Sequence, residues 1–301
     1  MKNKAIRFKF NRNRVILTDI LPYEIPIIFT NKYYFEFLND IEKKLMKSNI
    51  KIEYSLEDIA RIPKMLNNTE IKIINILFEE INKQTGSNCY AFEGKGRYKN
   101  RFTKIPFNFN IYQKGRDFRN ISVIHPLNQL QITHFYEKYK YLIIYLCSQS
   151  PFSIRKSVRV AKSVYMKNNI SSKRNKPITM SGEDSEQIKS FFVINNNQIY
   201  KFFESYKFHK CEKKYDKMLK FDISHCFDSI YTHSIEWALF NKDIVKENMM
   251  KTNMSFGHEF DELMQNVNYG ETNGIVIGPE FSRIFAEILL QQIDIKVYKE
   301  L

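Results

Sequence analysis

One carboxylate stands out by its neighbours. In the run Lys217-Met-Leu-Lys-Phe-Asp-Ile-Ser-His-Cys-Phe-Asp-Ser-Ile-Tyr-Thr-His233, the apolar Met218, Leu219, Phe221 and Ile223 predict a short buried strand. It carries Asp222 near its C-terminal end, and a turn and a helix from Ser234 to about Phe240 follow. A carboxylate at the end of a central strand faces the crevice where α/β-type sheets place ligands. A lone, accessible carboxylate there suits Mg²⁺ and phosphates. Phe227 would close the floor of the same crevice, where a sugar 2′ substituent must pass. The spacing is equally met by an Asp that caps the following turn above a phenylalanine in the core.

A second stretch, Thr272-Asn-Gly-Ile-Val-Ile-Gly-Pro-Glu-Phe-Ser-Arg-Ile-Phe-Ala-Glu287, lies about 50 residues downstream. Gly274 and Gly278 permit positive φ or close backbone approach, and Pro279 suits the first turn of a helix. From Glu280 the apolar positions Phe281, Ile284, Phe285 and Ile288 form a helical stripe that belongs to the core, which leaves the glycine loop as the candidate site. Close packing is the competing role for the two glycines. A third feature is basic: Arg155, Lys156, Arg159 and Lys162 open a stretch to residue 176 with no acidic residue. Such a run holds phosphates or forms a solvated face.

The elements that would position these groups follow from periodicity. Residues 1–90 are expected to be mainly helical, with one helix from Asn31 to about Lys47 and another started by a capping-box pattern at Ser55 and Asp58. Between Tyr90 and Val123 the period changes to two, most cleanly at Phe107-Asn-Phe-Asn-Ile-Tyr112, with a turn at Lys114-Gly-Arg116, which predicts a hairpin. Pro126 opens a helix to about Leu146. Residues 171–186 are polar and predict a loop. The interleaved Tyr200-Lys-Phe-Phe-Glu-Ser-Tyr-Lys-Phe-His-Lys210 suits either base stacking or an amphipathic core element.

Composition bounds the function classes. The 301 residues are 43% hydrophobic and 27% charged with 25 Phe and 18 Tyr, which excludes a chain disordered throughout. The net charge of +14 and a pI near 9.4 favour a polyanionic partner. The longest apolar run, Tyr141–Cys147, is far short of the roughly 20 residues that span a bilayer, so no membrane role is expected. Cys89, Cys147, Cys211 and Cys226 share no metal-ligand spacing, which favours free thiols in a cytoplasmic setting and no structural zinc. His225 and His233 flank the Asp222 motif without a mutual ligand spacing.

The Asp222 segment resembles the palm motif of reverse transcriptases that carries the first catalytic aspartate, and 272–287 resembles the glycine-rich loop and helix that follow it. The wording Phe-Asp-Ile-Ser-His-Cys-Phe-Asp-Ser-Ile-Tyr-Thr-His-Ser-Ile-Glu-Trp-Ala, with Ser-Pro-Phe-Ser-Ile-Arg155 upstream, is similar to the bacterial defence-associated, abortive-infection type. This resemblance implies an α+β fold with a right-hand polymerase palm and fingers behind a mainly helical N-terminal extension containing a small β element. The implied divisions are an extension over 1–150, a basic fingers-like region over 151–210 and a partial palm over 211–301. It also implies Mg²⁺-dependent DNA synthesis, RNA-directed or template-independent, in antiphage defence.

In that frame Asp222 is catalytic and ligates Mg²⁺ beside the Ile223 carbonyl. Phe227 is the steric gate, Gly274, Gly278 and Pro279 line the nucleotide site, and Arg155, Lys156 and Arg159 contact triphosphate or template. The implied partners are an RNA template, a DNA product and deoxynucleoside triphosphates, with a noncoding RNA or a second protein subunit beside them. Two-metal transfer needs further carboxylates to hold both ions, and the resemblance implies that they stand on a hairpin, usually aromatic-x-Asp-Asp, after the glycine-loop helix. The sequence reaches Leu301 at the end of that helix, so the expectation is that the hairpin and a thumb lie beyond residue 301 or in a partner chain. The alternative is a catalytically incomplete, RNA-binding scaffold subunit, and a plain basic nucleic-acid-binding module is a third reading.

Overall fold

The computed structural model describes residues 5–9, 11–22, 29–47, 67–69, 72–73, 104–112, 118–167, 191–194, 199–248 and 255–300. The chain begins with strand β1 (Ala5–Lys9), the short helix α1 (Val15–Thr18) and the helix α2 (Lys32–Lys47). Strands β2 (Phe107–Tyr112) and β3 (Phe118–Val123) precede helix α3 (Pro126–Leu146). Three short strands follow, β4 (Ser157–Val160), β5 (Ser163–Lys167) and β6 (Phe192–Ile194). The remainder is helical: α4 (Ile199–Phe203), α5 (Tyr206–Lys214), α6 (Cys226–Ser229), α7 (Ser234–Phe240), α8 (Lys242–Glu247), α9 (Phe256–Val267) and α10 (Glu280–Glu300).

Among the described residues the strands form three two-stranded antiparallel ladders, β1 with β5, β2 with β3, and β4 with β6. The molecule is thus mixed helical and β, as expected at that level. The β2–β3 hairpin has the anticipated register, with Phe107 opposite Val123 and Tyr112 opposite Phe118. Its turn and the Ser55 helix lie outside the described residues, as does the polar loop at 171–186. One element departs from the mainly helical expectation for the first 90 residues. Ala5–Lys9 is a strand, because it finds an antiparallel partner more than 150 residues away, with Ala5 opposite Lys167. A pairing at that sequence distance leaves no trace in local periodicity.

The core is aliphatic at most of its positions and has a cluster of aromatic rings within it. Helix α3 starts where Pro126 occupies the first turn and His125 Nδ1 accepts from Leu127 N at 3.2 Å. It buries Leu127, Leu130, Phe135, Tyr136 and Ile143. Helix α9 starts at Ser255, whose Oγ accepts from His258 N at 3.1 Å. Its buried stripe of Phe256, Phe260, Leu263, Met264 and Val267 follows helical spacing. Phe260 lies at the centre, with ring centroids 4.7 Å from Phe135, 5.1 Å from Phe281 and 4.9 Å from Phe285. Edge and tilted contacts of this kind add about 1 kcal/mol each to simple burial.

The N-terminal segment is built into the same core. Val15, Ile16 and Ile20 are fully buried and join one apolar cluster with Phe281 and Ile284 of α10. Asn31 Nδ2 donates to Ile16 O at 2.9 Å and to Gln129 Oε1 at 2.8 Å, which ties the start of α2 to α1 and α3. Arg12 joins Glu42 at 2.8 Å and Glu137 at 3.1 Å.

Candidate functional site

The two stretches singled out by their chemistry meet in space. Thr232 N donates to Thr272 O at 2.9 Å, Gly274 N to Ile230 O at 2.8 Å and Ile275 N to Phe227 O at 2.9 Å, and Tyr231 forms an antiparallel bridge with Asn273. Gly274 has φ +85°, and a Cβ there would lie 3.2 Å from the Asp228 carbonyl oxygen. Glycine is therefore required by the approach of the 227–230 turn. Phe227 is half-buried and packs against the core, and Asp222 and Asp228, which flank it in sequence, are exposed.

Gly278 and Pro279 lie at the other end of the loop. Gly278 has φ +118°, and a Cβ there would come 2.6 Å from Pro22 Cβ and 2.7 Å from Ile121 Cγ2. Ser122 N donates to Ile277 O at 2.9 Å, and Pro279 bridges Pro22. These contacts give Gly278 and Pro279 a packing role against β3 and the N-terminal segment. Gly274 is the glycine beside Asp228 and Ile230, in the segment that follows Asp222.

The strand expected around Asp222 does not form. Residues 217–223 have no regular secondary structure, and Leu219 and Phe221 are 85% and 84% exposed, with Met218 and Ile223 also exposed. The physical reason is pairing: an apolar run becomes a buried strand only where a neighbouring strand satisfies its backbone and another layer covers its face. Among the described residues no strand lies beside it. The helix expected at Ser234–Phe240 is present with those bounds.

Asp222 is exposed, and its Oδ1 accepts from Ile223 N at 2.9 Å. His225 adopts φ +50° at the start of α6, and its Nδ1 lies 3.3 Å from Asp228 Oδ2. Burial first, then the Asp222 carboxylate, push the Cys226 thiol up. Arg155 and Arg159 expose their side chains and Lys156 is half-buried. The Arg155 carbonyl accepts from Arg283 Nη1 at 3.1 Å, anchoring that segment to α10.

Mg²⁺ would find one ligand in the Asp222 carboxylate, but among the described residues no three His, Cys, Asp or Glu side chains converge to hold a metal ion. The residues present do not by themselves make a two-metal centre.

Sequence reasoning missed two clusters of ionisable groups. His233 Nδ1 bonds the buried Asp261, and His258 Nδ1 bonds Glu236 Oε1 at 2.8 Å, so that two reciprocal histidine–carboxylate pairs clasp α7 to α9. Partners 22 and 28 residues apart carry no local signal. Elsewhere, fully buried Asp19 accepts from Phe191 N at 2.5 Å and from Thr18 Oγ1 at 2.6 Å. Burial, followed by nearby Glu280, raises its pKa to about 7. Burial also lowers Arg14, although Asp19 opposes that shift. Desolvation thus outweighs mutual attraction within this pair. Cys147 is pushed up to about 12 by burial, then by Glu287, which makes it an inert core thiol.

No protein-family model matches this chain, and no curated protein matches it. No helix among the described residues is long and apolar enough to cross a membrane.

Proposed function

We propose that the chain is a reverse-transcriptase-like nucleotidyltransferase of antiphage defence, acting in the cytoplasm on deoxynucleoside triphosphates with an RNA template or none. The observation that carries this reading is the pairing of residues 227–232, the segment that follows Asp222, with the Gly274 loop. Two segments selected for their chemistry, about 50 residues apart, share three backbone hydrogen bonds, one of them accepted by the Phe227 carbonyl. Within the proposed right-hand palm and fingers, a primer hydroxyl oxygen forms a bond to the α-phosphorus. The bond from that phosphorus to the bridging oxygen breaks, pyrophosphate leaves, and the hydroxyl proton passes to water.

Asp222, whose own charge would repel the reacting phosphates, would act by holding Mg²⁺ against them, and Phe227 limits the room at the sugar 2′ position. Mg²⁺ is the cofactor the reading implies, with Asp222 and the Ile223 carbonyl among its ligands. It would supply charge stabilisation to the phosphates. The basic residues Arg155, Lys156 and Arg159 then serve triphosphate or template.

A second reading, an RNA-binding scaffold subunit without polymerase activity, is favoured by the Asp222 side chain, which is turned back on its own backbone at Ile223 as a turn cap. Incorporation of labelled deoxynucleotides separates the two. The full gene product and this 301-residue chain are each assayed with and without Mg²⁺ beside Asp222→Ala. Incorporation by the full product that falls to background in Asp222→Ala is expected. Undiminished incorporation in the variant removes Asp222 from the chemistry, and no incorporation with RNA binding intact favours the scaffold.

A further inference from the structure

We infer that α4, α5 and the extended chain to Lys220 form an arm that binds single-stranded nucleic acid by stacking bases on its tyrosines and holding phosphates with its lysines. Neither helix contains a buried residue. Their apolar contact is with each other: the Phe208 ring lies 5.6 Å from Phe202 and 4.9 Å from Phe203. Ser205 caps α5, its Oγ accepting from Phe208 N at 3.3 Å.

The rest of α5 is free to face a partner. At 100° per residue, Lys210, Lys213 and Lys214 all fall within about 80° of Tyr206, whereas Phe208 and Glu212 fall on the opposite half of the helix. Tyr206 is 80% exposed, and Tyr200 and Tyr215 are exposed as well. Rings and charges are also held together off the helix, with Lys214 Nζ 4.9 Å from the Tyr215 ring centroid and Lys220 Nζ 5.3 Å from that of Phe203. Residues 199–220 contain seven lysines against three acidic residues, and one of those, Glu212, is engaged by His209 at 3.1 Å.

This combination selects among polyanions. Lysines alone would serve a duplex, but exposed rings such as that of Tyr206, which shares its helix side with Lys210, Lys213 and Lys214, gain only from bases that are not already stacked on one another. A membrane-surface helix instead sets a broad apolar face opposite its basic one, and the apolar side of α5 is already covered by Phe202 and Phe203. The stacking face of a base and the phosphate are common to RNA and DNA, so both single strands are ligands. The inference rests on the nucleic-acid partner of the proposed function and not on its chemistry.

The test is fluorescence anisotropy of the 301-residue chain with 20-nucleotide oligo(dT) and oligo(rU), a 20-base-pair duplex and, in parallel, sedimentation with phosphatidylserine vesicles. Tighter binding of both single strands than of the duplex is expected. A triple variant Tyr200→Ala, Tyr206→Ala, Tyr215→Ala should weaken it at least about tenfold, and Tyr206→Phe should retain it because the ring face survives. Replacing Lys207, Lys210, Lys213 and Lys214 by Gln should flatten the slope of log affinity against log salt by about 3.

Arm-dependent binding without any deoxynucleotide incorporation would keep the arm and remove the polymerase reading. Equal affinity of the tyrosine variant with an unchanged thermal midpoint, a preference for duplex, or arm-dependent binding to vesicles in place of oligonucleotides would each overturn the inference.

Discussion

Phe260 and Phe221 are the same residue type in opposite circumstances. Phe260 is fully buried among Phe135, Phe256, Phe281 and Phe285, where three helices converge. Phe221 lies in an extended run of equally apolar composition and is largely exposed. The difference shows that an apolar residue is buried by the elements that reach it, and that its own segment decides only which face it offers. Helices α3, α9 and α10 carry their hydrogen bonds internally and need only a stripe of contact. A strand needs partners on both counts, and 217–223 has an exposed backbone and exposed side chains beside the very carboxylate proposed to act.

The contrast can be broken most forcefully at its buried end. Phe260→Ala should cost about 4 kcal/mol of unfolding free energy in urea titration, since it removes the ring shared by three helices. A loss under about 1 kcal/mol would mean that the aromatic cluster is loosely packed. Gly278→Ala comes next, at about 3 kcal/mol, because the new methyl meets Pro22 and Ile121 within 2.7 Å at a strained φ. Gly274→Ala should cost less, since its tightest contact is 3.2 Å.

The buried charges sharpen the comparison through pH. Asp19 keeps its proton in the folded protein up to about 7, whereas in the unfolded chain it ionises above about 4. The folded state then binds the extra proton, so this group lowers stability as pH rises from about 4 to 7. His134, lowered to about 3 chiefly by burial, acts the other way. The unfolded chain takes up its proton below about 6.5, so stability falls as pH drops from there toward 3. The two contributions offset one another between about pH 4 and 6.5. Asp19→Asn should expose the histidine slope, with thermal midpoints that rise with pH up to about 6.5, and should stabilise the chain at pH 7 by about 4 kcal/mol. An unchanged pH profile would show that Asp19 is ionised in the fold.

At the exposed end the effects should be smallest. Leu219→Ser and Phe221→Ser should each change stability by less than about 0.5 kcal/mol in the same titration. A loss of several kcal/mol at either would place that run in a packed layer.

These contrasts also explain what was legible in the sequence. Helix α3 opens at Pro126, α10 opens at Glu280, and the hairpin of β2 and β3 keeps its period of two, because propensity, pattern and punctuation agree there. Asp222 and Gly274 could be paired as candidates because each segment carries its own chemistry. Strand β1, the histidine clasp between α7 and α9, and the environment of Asp19 were not legible, since each depends on a partner distant in sequence. Helix α9 could have been found from Ser255 and the stripe running from Phe256 to Val267. The exposure of 217–223 was hidden because its period-two pattern is that of a strand whether or not a neighbour is present.

The most direct test of the nucleotide site is photocrosslinking of an aryl-azide deoxynucleoside triphosphate to the protein in Mg²⁺, followed by peptide mapping. Adducts that unlabelled deoxynucleotide competes away should fall in the peptides containing Phe227 and residues 273–278. Competed adducts that map elsewhere, or none that compete, would contradict the pairing of the Asp222 turn and the Gly274 loop as the place where the nucleotide is held.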